Sequence, residues 1–364
     1  MPDENTPDEI PAKTPALAVP KKSAQEAHRL LIRHGALDHL FKIKREGGRV
    51  LFPILPSLEK KVKALKLGET GRVVFEKSAR RPLSLQELLA PYLSEQEMAR
   101  LIGSFDIVGD IAVLEIPDAL AHQQERIAAA MLELYKHVKV VAKKTDGTGG
   151  PYRIRPVEVI AGEQRTRTVC KESGCEFEVD LNEVYFTPRF SSERLRIAGQ
   201  VKSGENVLVL FAGVAPYAIV IEKKASPKSK PAKIICVELN PRAVELARRN
   251  VERNKCRRIE VIEGDVKEVL AKPRFLGWAD RVLMPHPSDS LSFLPQALRS
   301  TKDGGILHLY AFTPIEAGEA DVLERAKQIA KKEGYALELL SWREVRPYSP
   351  VLSQVVLDLE VKRI

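Results

Sequence analysis

From residue 207 to residue 284 the chain alternates short apolar runs with helical patterns, and that alternation restricts the fold more than any other feature. Residues 207–211 (VLVLF) form an unbroken apolar run, as expected of a strand covered on both faces. Gly213 follows, where the lack of a Cβ permits a tight turn and close approach of a ligand. A second apolar run, residues 234–237, ends in Glu238. Asn240-Pro241 then supplies a cap and a first-turn proline, and Val244, Ala247 and Val251 share one face of the helix that follows. A third strand is predicted at 259–262, leading into Gly264-Asp265, and a fourth at 279–284, ending in Pro285-His286-Pro287. This order predicts an α/β fold with a mainly parallel, doubly wound sheet.

The glycines do not make a dinucleotide fingerprint, because Ala215-Pro216-Tyr217 stands where further glycines would be needed, and no phosphate loop is present. One glycine turn, an acid after the second strand and another after the third match the arrangement of class I S-adenosylmethionine methyltransferases. An acid at the end of the second strand is where such folds hold ribose hydroxyls. On these residues alone, a structural glycine turn in some other α/β domain stays open.

The flanking blocks narrow the choice. They are Val19-Pro20-Lys21-Lys22, Lys42-Ile43-Lys44-Arg45-Glu46-Gly47, residues 104–111, Arg153 with residues 158–163, residues 184–194, and Arg346-Pro347-Tyr348-Ser349-Pro350. With them, residues 17–361 resemble the archaeal and eukaryotic tRNA (guanine-N1)-methyltransferases that act at position 37. The resemblance implies a C-terminal Rossmann-like class I methyltransferase domain preceded by two smaller α+β domains, with S-adenosyl-L-methionine as cofactor and tRNA as partner. It implies that Glu193 is the general base for the guanine N1 proton, that Arg153 steadies charge on the guanine oxygen, and that Tyr185, Pro188 and Arg189 position the substrate. Phe211, Gly213 and Val214 would line the methionine side, Glu238 the ribose and Asp265 the adenine, with Arg194 also on the cofactor. Lys21, Lys22, Lys44 and Arg45 would grip RNA. No metal is required by this chemistry, and a monomer is expected.

Three positions depart from the family pattern. Its Asn-x-Pro after the fourth strand is Pro285-His286-Pro287 here, its turn glycine is Ala215, and the arginine after the late Tyr-x-Pro is Val351. Loss of the Asn amide leaves room for a different target, such as a tricyclic wyosine-pathway base receiving a methyl or aminocarboxypropyl group, or for a tRNA-binding protein without catalysis. His286 is a candidate donor in place of the amide.

Composition agrees with this reading and sets its limits. The 364 residues are enough for two or three domains, and a net charge of +9 favours a polyanionic partner. Residues 1–14 are polar and acidic, without the features of a secretory signal, and are expected to be a disordered tail. No apolar stretch is long enough to span a bilayer, and the four cysteines fit a reducing cytoplasm. Cys170 and Cys175 are placed to meet across a hairpin turning at Ser173-Gly174. The division expected is a tail (1–14), a small tRNA-binding module (15–75), a middle α+β domain (76–180) and the methyltransferase domain (181–364). Residues 143–151 read as a flexible loop leading to Arg153, and the lysine-rich stretch 222–233 as a solvated insertion.

Overall fold

A computed structural model describes residues 13–34, 36–78, 84–101, 105–145, 150, 152–226 and 228–364. Most of the expected tail, Gly35, Ser104 and residues 146–149 and 151 of the expected loop lie outside these residues. Contacts divide the chain into two compact units, which differ from the three-way division expected from sequence. The first gathers residues up to 105 with 112–143 and 158–164, and the second holds 106–111, 144–157 and 165–364.

In the first unit, β1 (Thr14–Pro20), α1 (Ala24–Arg33), β2 (Lys44–Glu46), β3 (Arg49–Pro53), α2 (Glu59–Ala64) and β4 (Glu69–Val73) form an antiparallel sheet of order β2-β3-β1-β4 with its helices. The β2–β3 hairpin turns on Gly47 and Gly48, with φ of 58° and 75°, as a two-residue turn of this kind requires. Strand β1 was not expected, because TPALAVP carries little β-propensity. Pairing on both sides fixes it, and Leu17 and Val19 are buried with Leu31, Phe52 and Ile54. Next come α3 (Leu85–Leu89) and α4 (Glu95–Arg100), the latter opened by a Ser94/Glu97 capping box. The short β5 (Asp106–Val108) clusters with the second unit, and β6 (Ile111–Leu114) follows Gly109. Helix α5 (Gln124–Leu134), β7 (Val140–Lys144) and β8 (Val157–Gly162) come next, with β6, β7 and β8 neighbours in one sheet.

The second unit opens with the hairpin β9 (Arg167–Glu172) and β10 (Cys175–Asp180). Its register places Cys170 opposite Phe177 and Cys175 opposite Glu172, so the two cysteines do not meet. All four cysteines are free thiols. Then follow α6 (Ser191–Gln200), β11 (Asn206–Leu210), α7 (Pro216–Lys224), β12 (Lys233–Glu238), α8 (Pro241–Arg253), β13 (Ile259–Glu263), α9 (Val266–Leu270) and β14 (Ala279–Met284). The chain ends with α10 (Leu294–Ser300), β15 (Thr301–Pro314), α11 (Ala320–Lys332), β16 (Tyr335–Pro347) and β17 (Leu352–Arg363). The sheet order is β13-β12-β11-β14-β15-β17-β16. Its first five strands are parallel, and β17 is antiparallel to both of its neighbours.

Local signals explain the parallel half. Asn240 Oδ1 accepts from the Arg242 amide at 3.0 Å, and Val244 and Ala247 of α8 are fully buried. The same helix uses two asparagines one turn apart to cover the free edge of β10. Asn250 accepts from the Glu178 amide at 2.7 Å and donates to its carbonyl at 3.1 Å. Asn254 does the same to Glu176, at 2.9 and 2.7 Å. Residues 225–226 and 228–232 lie between α7 and the start of β12, at the edge opposite the strand C-termini. No helix among the described residues is long and apolar enough to cross a membrane.

Candidate active site

The C-terminal ends of the parallel strands carry the chemistry, as expected where such a sheet is covered on both faces. After β11 the chain turns through Phe211, Gly213 and Ala215, all in the left-handed region with φ of 53°, 55° and 62°. Two of the three are not glycine, and each costs roughly 1–2 kcal/mol in that conformation. Such strain marks a backbone whose shape is imposed by its surroundings. Glu238, at the end of β12, accepts the Gly213 amide at 2.7 Å and the Asn240 amide at 2.9 Å. Burial pushes its carboxyl above the ordinary glutamate range, against these amide hydrogen bonds. Asp265 follows β13 and accepts from the Lys267 amide at 2.7 Å.

A cavity of about 400 Å³ opens over these strand ends. Phe211, Gly213, Glu238, Leu239, Asp265 and Phe293 line it together with Tyr152, Arg153, Arg155, Tyr185, residues 285–289, Phe312, Arg346 and Tyr348. Glu238 and Asp265 supply carboxylates at the ends of β12 and β13, Asp289 supplies another after β14, and Arg153, Arg155 and Arg346 supply guanidinium groups. Arg153 also has positive φ, at 55°, and no carboxylate pairs with it among the described residues. The His286 ring packs tilted against Phe211, with centroids 4.7 Å apart and an interplanar angle of 42°, and its Nδ1 is buried without a partner among the described residues. Burial first, then the charge of Arg153, lower the His286 pKa, so the ring is neutral at pH 7.

The structure therefore brings Arg153, Tyr185, Phe211, Gly213, Glu238, Asp265, Pro285, His286 and Pro287 onto one cavity. It places five other expected residues elsewhere. Val214 is fully buried behind the turn. Pro188 opens a single 3₁₀ turn capped by Thr187, and Arg189 on that turn is exposed and pairs with Asp106 at 2.5 Å. Arg194, expected on the cofactor, is 2% exposed. It pairs with Glu172, donates to the Thr187 carbonyl at 2.8 Å and lies over the Phe186 and Tyr217 rings.

Glu193, 1% exposed, does not line the cavity either. Its carboxylate accepts from Arg196 at 2.8 and 2.9 Å and from the Tyr310 hydroxyl at 2.6 Å. Arg196 continues to Asp358 at 2.5 Å, Asp358 to His308 at 2.6 Å, His308 to Arg281 at 2.7 Å and Arg281 to Glu205 at 2.8 Å. Arginine can only donate, so His308 Nε2 accepts and its Nδ1–H goes to Asp358. Burial alone would raise the Asp358 carboxyl; hydrogen bonds from His308 and Arg196 instead hold it well below the usual range. Glu193 sits one layer behind the cavity wall, since Phe190 before it and Phe312, two residues beyond Tyr310, both face the cavity.

Sequence reading missed several lining residues. Phe190 and Leu239 adjoin residues that it singled out. Phe312 lies in a strand that looks merely apolar, with no local signal to mark it.

The parallel sheet, the single-glycine turn and the acids closing the next two strands define a class I S-adenosylmethionine methyltransferase fold. Residues 168–338 match the TRM5/TYW2 methyltransferase domain, 85–166 the TYW2 N-terminal domain and 16–62 the tRNA methyltransferase 5 N-terminal domain. The tRNA (guanine(37)-N(1))-methyltransferase Trm5b of Pyrococcus abyssi is 36% identical over 349 residues, covering 96% of this chain and 99% of its own. Its crystal structure superposes with a TM-score of 0.69 at 34% identity, with 96% and 99% of the two chains covered. A complex of aTrm5 with tRNALeu superposes at 0.67 with 29% identity, covering 95% and 99%. The chain belongs to the TRM5/TYW2 methyltransferase family.

Proposed function

We propose that this protein transfers the methyl group of S-adenosylmethionine to N1 of guanosine 37 in tRNA. The observation that carries the proposal is the lining of the cavity: it holds the hydrogen-bond acceptors Glu238 and Asp265, on the side proposed for the cofactor, and, on the side proposed for the base, neutral His286 and Arg153, which no carboxylate pairs among the described residues. The first side suits a nucleoside cofactor. Gly213 leaves room for it, because a Cβ there would approach nothing closer than the Tyr185 carbonyl at 3.7 Å. Glu238, which the Gly213, Leu239 and Asn240 amides reach, keeps acceptor capacity for the ribose, and Asp265 faces the adenine end. S-adenosylmethionine supplies an electrophilic methyl group when bound there.

The other side suits a base that must lose a proton as it reacts. Arg153 holds charge at the guanine oxygen, and the neutral His286 offers a ring nitrogen to the base edge where the family has an amide. Tyr185 is 36% exposed on the same wall. Glu193 is the proposed proton acceptor. It must exchange the Tyr310 hydroxyl for the base N1–H, a local shift of one side-chain layer, and resting geometry does not exclude a base that tightens on substrate. The test is to incubate the protein with labelled cofactor and unmodified tRNA and identify the nucleoside by mass spectrometry. 1-Methylguanosine is expected. Label in an aminocarboxypropyl group or on a tricyclic base would reassign the reaction, and no label would leave a binding protein.

Two further outcomes follow from this reading. Cofactor affinity should fall as the pH drops from 7 toward 5, with a midpoint above the ordinary glutamate value of about 4.3. The sign follows from Glu238, which accepts both ribose hydroxyls when ionised but has a raised pKa, so protons compete early. Below the midpoint the loss approaches tenfold per pH unit, and calorimetry on Glu238→Gln should show weaker binding with a flattened profile.

RNA binding is proposed to use the β1–β3 end of the first unit, where Lys21, Lys22 and Arg45 are exposed and Lys44 pairs with Glu46 at 2.9 Å. Lys21→Gln, Lys22→Gln and Arg45→Gln together should weaken tRNA binding and reduce the salt slope by about one per lost phosphate contact. Cofactor affinity should not change. An unaltered salt slope would remove these residues from the RNA interface.

A further inference from the structure

The cavity lining extends past the residues assigned to the target base. Strands β15 and β16 run in the same direction, so both end at the edge where β11, β12 and β14 end. Phe312 lies near the end of β15, the strand beside β14 on the side away from β11. Its amide donates to the Pro287 carbonyl at 3.2 Å, which ties it to the loop carrying His286. Tyr348 follows β16 directly, and its ring packs on Phe312 at 4.2 Å with an interplanar angle of 38°. Its backbone is fixed in the β16–β17 turn, where the Tyr348 and Ser349 amides both donate to the Leu352 carbonyl, at 2.9 and 3.0 Å.

The Tyr348 ring is nevertheless 44% exposed while lining the cavity. Beside it, the Arg346 guanidinium lies 5.1 Å over the Phe190 ring and donates to Gln354 at 3.3 Å. No carboxylate neutralises Arg346 among the described residues. A rigid, half-exposed aromatic pair next to an unneutralised cation is poor packing for a closed core, and it is what a nucleobase and its phosphate need. Neighbouring strands are about 4.8 Å apart. Two strand steps separate β11, where the methyl group would be presented, from Phe312. That separation, about 10 Å, leaves room for an adjacent nucleotide beside the reacting base.

We infer that Phe312 and Tyr348, with Arg346 beside them, form a stacking shelf for the base flanking the one that is methylated. The inference rests on the tRNA reading above and adds a second base contact to it. Stacking of this kind does not select among bases, so the shelf contributes affinity and placement and leaves base identity to the Arg153–His286 wall.

The test uses full-length tRNA transcripts carrying 2-aminopurine at the target position or at either flanking position, bound to the intact protein with S-adenosylhomocysteine. One flanking probe should be quenched by wild type, not by Tyr348→Leu, and again by Tyr348→Phe. The Leu variant should weaken tRNA binding roughly 5- to 150-fold. It should raise KM more than it lowers the single-turnover rate at saturation, with unchanged S-adenosylhomocysteine affinity reporting an intact fold. Should the Leu variant lose cofactor binding, Arg346→Gln, which leaves both rings in place, is read instead and should weaken tRNA binding with a reduced salt slope. Quenching confined to the target position would assign the shelf to the target base and overturn the inference, as would equal quenching and KM in wild type and the Leu variant. Wild-type methyl transfer is measured on the same unlabelled tRNA. If it is absent, the functional reading fails; if it is present and the Leu variant matches wild type throughout, only the shelf fails.

Discussion

Arg153→Ala is expected to slow single-turnover methyl transfer by roughly 10²–10³-fold, the scale for losing one preorganised donor to developing charge. Cofactor affinity should stay within a few-fold, because the proposed cofactor contacts are made by Glu238 and Asp265 and not by Arg153. The argument is electrostatic. As N1 attacks the methyl group, negative charge collects on the guanine oxygen, and Arg153, which no carboxylate pairs among the described residues, lines the cavity that would hold the base. Arg153→Lys restores charge without the planar fork and should recover only part of the rate. The backbone gives an independent readout. At φ 55° alanine keeps the strain and glycine removes it, so Arg153→Gly should be as inactive as the alanine variant and more stable by about 1 kcal/mol. A wild-type rate in Arg153→Ala would mean that another group carries the charge.

The parallel half of the sheet was legible because its signals are local. The apolar run 207–211 closes directly in the Gly213 turn, and the run 234–237 closes directly in Glu238 and the Asn240-Pro241 cap, so each signal constrains its neighbour. The long ribbon of β15, β16 and β17 was not, because nothing local marks where a strand of 12–14 residues pairs. It is also where the buried polar chain lies: His308 and Asp358 sit inside apolar strands, and the Asp358–Arg196 contact joins residues 162 apart in sequence.

The site was legible to the same degree. Phe211, Gly213, Glu238, Asp265 and residues 285–287, which close β11, β12, β13 and β14, line the cavity, since strand ends fix their direction. Glu193 and Arg194 on α6 do not. Glu193 and Arg194 are consecutive, hence about 100° apart around the helix, and point in different directions. Arg194 turns to Glu172, whereas Glu193 shares its face with Arg196, three residues on. The sequence shows the charges and not which way the helix is rotated.

Glu193→Gln is the second large effect expected. If Glu193 removes the N1 proton, the amide keeps the shape and the hydrogen bond from Tyr310 but cannot take a proton, and single-turnover transfer should fall by roughly 10²–10⁴-fold. The buried setting adds a stability effect that a surface base would not show. Losing the charge opposite Arg196 should cost roughly 1–3 kcal/mol, with Asp358 still pairing that guanidinium. The two readouts separate the roles. A base gives the rate loss at temperatures where the variant is fully folded, with tRNA and cofactor affinity within a few-fold of wild type. A purely structural hub gives the stability loss with a normal rate once folded. Asp289→Asn is the control, because Asp289 is the carboxylate that already lines the cavity beside His286; its rate should stay within a few-fold of wild type. Should Asp289→Asn be slow and Glu193→Gln be fast but unstable, the proton acceptor is on the wall and Glu193 serves only to anchor α6 to β15.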